Sequence, residues 1–105
     1  MTNFKEETMR LIGDHKIDEY RFEYIRDWYH SNNPIYIGKD KIAWDEIPES
    51  ELNYDRGYGV QYWRGYVTFK DTLGWFERDT NDGAEWWAWR KRPNLTQDEE
   101  KKLDE

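Results

Sequence analysis

The most constraining feature of this 105-residue chain is the dipeptide Asp82-Gly83, set between two indole-rich runs, Trp75 to Thr80 and Ala84 to Lys91. Asp-Gly between alternating apolar residues is among the strongest signals for a two-residue hairpin turn. With these residues at the turn centre, Asp79 faces Trp86, Arg78 faces Trp87, Glu77 faces Ala88 and Phe76 faces Trp89. That register puts Phe76, Arg78, Trp87 and Trp89 on one face. Trp86 and Trp87 are consecutive and must point to opposite faces. Both faces of the sheet therefore carry indole, and an uncovered face would present an aromatic patch, the usual mark of an interface.

The flanking segments extend this sheet. Val60 to Lys70 alternates, with Gln61, Trp63, Val67 and Phe69 on one parity and Tyr62, Tyr66 and Thr68 on the other. Asp71 to Gly74 then turns into the Trp75 run. Upstream, residues 17–29 fit two periods: Ile17, Tyr20, Tyr24 and Trp28 form a helical stripe, whereas Phe22, Tyr24 and Trp28 share one face of a strand. The aromatic and β-branched content favours a strand over 21–29, with Ser31 to Pro34 turning and Ile35 to Ile37 returning. Residues 3–13 read as a helix. Asn3 can cap it with Glu6 three places on, Phe4, Thr8, Leu11 and Ile12 line one face, and Gly13 suits a left-handed stop. Trp44 and Ile47 read as anchors, Pro48 to Leu52 as one short helical turn, and Asp55 to Gly59 as a turn or bulge.

Composition decides whether such a chain folds. Ile, Leu, Val and Phe supply only 18 of 105 residues, under the roughly 20% at which a charged chain is suspected of disorder. Seven Trp and eight Tyr compensate, since each such ring can bury about 150–250 Å². No apolar run approaches the roughly 18 residues of a membrane-spanning helix, and no secretory signal stands out. Zero Cys excludes disulfides and thiolate metal sites. A net charge of −7 disfavours gripping phosphate backbones and suits a negative surface offered to a basic partner. The most negative stretch holds Asp45, Glu46, Glu49, Glu51 and Asp55.

Catalytic constellations are weak. His15 and His30 are isolated, and Glu77 and Glu85 flank one turn without facing each other. Asp79 to Glu85 has its glycine fifth rather than sixth and no glutamate at twelve, which a polar hairpin tip explains better than a calcium loop. Gly57-Tyr58-Gly59 lacks the third glycine of a nucleotide loop. We expect no enzyme, no metal and no cofactor. Arg78 opposite Trp87 reads as a cation–π pair.

The run Tyr54-Asp55-x-Gly57-Tyr58-Gly59-x-Gln61, then Phe69-Lys70-Asp71, Trp75-x-Glu77-Arg78 and Asp82-Gly83-x-Glu85-Trp86-Trp87, resembles a family of small phage-encoded accessory proteins. The likeness covers about residues 52–90 and leaves 20–48 as the place to seek a partner specific to this chain. It implies a helix followed by an antiparallel sheet, and a role in binding and blocking host machinery such as CRISPR or restriction complexes.

The expectations are then these. Residues 1–95 form a single α+β domain, one N-terminal helix packed on a twisted antiparallel sheet of about five strands, and 96–105 form a frayed acidic tail. The chain acts in the host cytoplasm without contacting nucleic acid or membrane, and docks on a host defence protein or nucleoprotein complex with a basic surface. The contact residues are Asp45, Glu46, Glu49, Glu51, Asp55, Trp63, Trp87 and Trp89, the acids steering and the rings anchoring. One alternative is a nucleotide-sequestering protein with Tyr58, Trp63, Arg78 and Trp87 as its site. Another is a homo-oligomer that buries its aromatic face.

Overall fold

Asn3 opens the only long helix among the described residues: its side chain accepts the backbone N–H of Glu6 at 3.0 Å, relieving an otherwise unpaired donor. The computed structural model describes residues 2–26, 32–55, 60–81 and 84–91. Helix α1 spans Phe4–Ile12 and stops at Gly13, whose φ of 55° lets its N–H return to the Met9 carbonyl. Strands β2 (Ile17–Tyr24), β3 (Ile35–Lys39), β5 (Trp63–Phe69), β6 (Trp75–Asn81) and β7 (Ala84–Arg90) form one antiparallel sheet in the order β3-β2-β5-β6-β7. Between β3 and β5 lie a 3₁₀ turn, Trp44–Glu46, and a single helical turn α2, Glu49–Leu52. A short antiparallel pair, β1 (Thr2–Asn3) with β4 (Asn53–Tyr54), ties that segment to the chain's start. The α+β class, the N-terminal helix and the five-stranded sheet agree with the sequence reading; the β1–β4 pair adds to it.

The β6–β7 hairpin has the expected register, including Arg78↔Trp87 and Phe76↔Trp89, though Asp82 and Gly83 themselves lie outside the described residues. Two readings need correction. The strand expected over 21–29 runs over Ile17–Tyr24 instead, and residues 27–29 lie outside the described residues. A bulge is the cause: Ile17 pairs with Phe69 and Tyr20 with Val67, three residues against two. The extra residue lets Ile17 and Tyr20 share a face at a spacing of three, which mimics a helix in the sequence. On α1, Phe4, Thr8 and Ile12 of the expected stripe are buried, but Leu11 is exposed and Glu7 is buried in addition.

Register assigns the faces. Tyr20, Phe22, Trp63, Val67, Phe69 and Trp87 point inward and are buried. Phe4 of α1 stacks flat on Trp63, with centroids 4.1 Å apart, and stands edge-on to Phe22 at 5.2 Å. The Trp87 indole N–H donates to Thr8 Oγ1 at 2.8 Å, tying the helix to the far side of the sheet. Ile42, Ile47, Leu52 and Tyr54 complete the core from the connecting segment. Rings thus supply the area that aliphatic residues do not.

The outward face is different in kind. Ile35, Ile37, Arg64, Glu77, Trp86 and Arg90 are exposed there, and charges of opposite sign alternate across strands. Glu23 accepts from Arg64 at 2.6 Å, Asn33 at 3.2 Å and Arg21 at 3.3 Å. The Arg64 hydrogen bond, opposed in part by burial, holds the Glu23 carboxyl below the usual carboxylate range. A lowered folded pKa stabilises above the ordinary value near 4.3 and is lost as pH falls through the folded value. Glu23→Gln is therefore expected to cost roughly 1–2 kcal/mol at neutral pH. The gap in Tm from wild type should narrow as pH falls below the ordinary carboxylate value in thermal melts; a gap that stays constant would contradict this assignment.

Candidate functional site

Four residues from distant parts of the sequence converge beneath α1. The Arg78 side chain is 0% exposed. Its guanidinium donates to Glu7 Oε1 at 3.2 Å, to Tyr54 Oη at 2.9 Å and to Glu85 Oε2. Tyr54 in turn donates to Glu7 Oε1 at 2.5 Å. Glu85 also accepts the backbone N–H of Tyr62 at 2.6 Å and of Trp63 at 3.1 Å, which fixes where β5 begins. Above and below lie the rings of Trp87, Phe4 and Tyr54, with centroids 5.0, 5.3 and 5.7 Å from the guanidinium carbon. Burial alone would lower the Arg78 pKa, but the charges of Glu7, Tyr54 and Glu85 outweigh it and raise it. Burial, with the Glu7 hydrogen bond adding to it against Arg78, raises that of Tyr54. The expected cation–π pair of Arg78 with Trp87 is present, as one contact of a sealed ionic network rather than an exposed pair.

This network revises both proposed ring sites. Trp63 and Trp87, expected on a contact surface, are 0% and 6% exposed and belong to the core. They were assigned outward because an aromatic face was expected to remain open, yet the face that α1 covers is theirs. Trp89 keeps its place as a contact candidate at 43% exposed, near the end of the sheet beside His15 and Phe76. The ligand quartet Tyr58, Trp63, Arg78 and Trp87 does not form an open site: three are buried, and Tyr58 lies outside the described residues. Glu77 and Glu85 sit on opposite faces, Glu77 exposed and Glu85 buried.

The acidic stretch divides likewise. Asp45, Glu46 and Glu49 are exposed, and no basic side chain among the described residues pairs with them. Asp55 is exposed as well. Glu51, expected among them, is 6% exposed and turned inward. It accepts from Arg26 at 2.9 Å and from the Tyr36 hydroxyl at 2.7 Å. Burial, reinforced by the Glu51 hydrogen bond and charge, pushes the Tyr36 hydroxyl up to about 12. Glu51 thus acts as a tether. Together with buried Ile47 and Leu52 on the core and the β1–β4 pair beyond, it holds the segment carrying the three free carboxylates in one position. The acids form a fixed ridge rather than a loose loop.

Sequence reasoning missed Glu7, Tyr54 and Glu85 as partners of Arg78. Tyr54 lies far in sequence from Arg78, Glu85 and Trp87 and meets them only in the fold. Among the described residues, no group of three or more carboxylate or imidazole side chains is placed to hold a metal ion, and no helix is long and apolar enough to cross a membrane. Comparison with family models, curated proteins and solved structures returns no match for this chain.

Proposed function

We propose that this chain is a non-enzymatic binding protein of phage origin that docks its acidic ridge on a basic surface of a host defence complex and blocks it. The observation that carries the reading is the ridge of Asp45, Glu46 and Glu49: three exposed carboxylates within five residues, without basic partners among the described residues, on a segment anchored to the core. Fixed like charges steer a partner of opposite charge and lose little entropy on docking. A Lys/Arg-lined groove that normally takes nucleic acid is the complementary surface. The exposed indoles Trp86 and Trp89 lie on opposite faces of β7, so a docked partner takes one of them as its anchor. The resemblance to phage accessory proteins supplies the anti-CRISPR or anti-restriction setting in the host cytoplasm.

The test is the variant Asp45→Asn/Glu46→Gln/Glu49→Gln, which leaves the tethering Glu51 intact. Its unfolding free energy should stay within the roughly 0.5 kcal/mol typical of surface changes. Tagged wild type should retain a defence nuclease or effector from lysate at low salt and release it at high salt. The variant should associate about tenfold or more slowly with that protein at low salt. Equal association rates and equal salt dependence would refute the reading.

A further inference from the structure

Beside the ridge lies a shallow depression of about 500 Å³, lined by Lys5, Lys41, Ile42, Ala43, Trp44 and Asp45. Of its lining, only Asp45 belongs to the ridge already described. Lys5 stands on the first turn of α1, next to Phe4 of the core. Asp40, in the left-handed region at φ 65°, turns the chain out of β3 into Lys41. The backbone N–H of Ala43 is pinned to the Tyr20 hydroxyl at 3.1 Å, which fixes the wall between them. The Trp44 ring packs on Phe22 at 5.7 Å and on Phe4 at 6.1 Å and remains half-buried. Neither lysine has a carboxylate partner among the described residues, although acids outnumber bases 23 to 16 in the chain.

We infer that this depression binds a free mononucleotide carrying an exocyclic amino group. Three complementary features converge. An indole held by two core rings offers a stacking surface for a planar base, an interaction typically of about 1–3 kcal/mol. Lys5 and Lys41, two ammonium groups on the lining without carboxylate partners among the described residues, suit a phosphate, and Asp45 on the same lining can accept hydrogens from a base amino group. An aromatic carboxylate would leave Asp45 unmatched and repelled. A nucleic-acid strand fits less well than a single nucleotide, because Glu46 and Glu49 continue the negative surface beyond the depression and oppose a polyanion. The volume lies within the range of small-ligand clefts. The inference shares Asp45 with the docking proposal and otherwise rests on Lys5, Lys41 and Trp44, so nucleotide titration tests it separately from docking.

The test is titration of ¹⁵N-labelled protein with adenosine monophosphate, following the Trp44 indole N–H resonance, assigned with Trp44→Phe. The resonance should shift and saturate. Inosine monophosphate, adenosine and inorganic phosphate should each bind more weakly. Lys5→Gln/Lys41→Gln, two exposed positions, should weaken adenosine monophosphate about tenfold while leaving adenosine unchanged and the other indole resonances in place. A Trp44 resonance that does not move at millimolar nucleotide overturns the inference. So does equal binding of inorganic phosphate, equal binding by the lysine variant, or equal binding of inosine monophosphate. Tighter binding of a 5′-phosphorylated oligonucleotide would overturn it in favour of a strand-binding surface.

Discussion

Arg78→Met is expected to cost about 3–5 kcal/mol, enough to bring a domain of this size close to unfolding at room temperature. Glu7 and Glu85 are 4% and 1% exposed, and both accept from the one guanidinium. Its removal takes the cation shared by two buried carboxylates out of a ring-lined interior, and breaking a buried ionic group from one side is the costly way to do so. Methionine keeps the volume and the contacts with Phe4 and Trp87, so the loss reports charge rather than a cavity. The triple variant Arg78→Met/Glu7→Gln/Glu85→Gln should recover part of it, since glutamine at 85 can still accept a backbone N–H from Tyr62 or Trp63. Urea unfolding followed by indole fluorescence measures both. A loss under about 1 kcal/mol for Arg78→Met would mean that the network is ornamental to stability.

Gly65→Ala is expected to be nearly as damaging, at roughly 2–5 kcal/mol. Gly65 lies mid-strand in β5 directly opposite Phe22, with φ at 137°, where side chains are strained whatever the space. A Cβ there would also meet the Arg21 carbonyl oxygen at 1.8 Å. That oxygen is backbone in the central β2–β5 pairing, so relief requires the strands to part. Gly13→Ala separates strain from clash: its φ is 55° with nothing within 4 Å of the added carbon, and about 1–2 kcal/mol is expected. Equal costs at the two positions would show that crowding against β2 contributes nothing.

These two sites mark where the sequence is legible and where it is not. Local chemistry carried through. Asn3 and Gly13 bound the helix, and the Asp-Gly signal in the sequence predicted the β6–β7 register that pairs Arg78 with Trp87. What failed was long-range. Glu7 is a helix-surface residue by type, and it turns inward because Arg78, 71 positions away, meets it there. Leu11 is left outside for the complementary reason. The bulge between Ile17 and Tyr20 is set by pairing with β5, so its spacing of three read as helical. Trp87 shares a face with Phe76, as the hairpin register said, and the β5–β6 pairing adds Trp63 to it, but parity does not say which face a helix covers. Glu51 and Glu49 are indistinguishable in sequence. One is a tether because Arg26 and Tyr36 reach it, and the other stays in water.

The ridge that remains is smaller than the run of five acids but better placed, and its role as a docking surface is the central claim. The most direct measurement is phage plating on bacteria that carry one defined CRISPR or restriction system and express this chain. Wild type should restore plating on at least one such host. Asp45→Asn/Glu46→Gln/Glu49→Gln, expressed at the same level and with the wild-type Tm, should fail to do so. Full protection of the phage by the triple variant would contradict the account, because a chain that blocks its target without those three charges does not act through them.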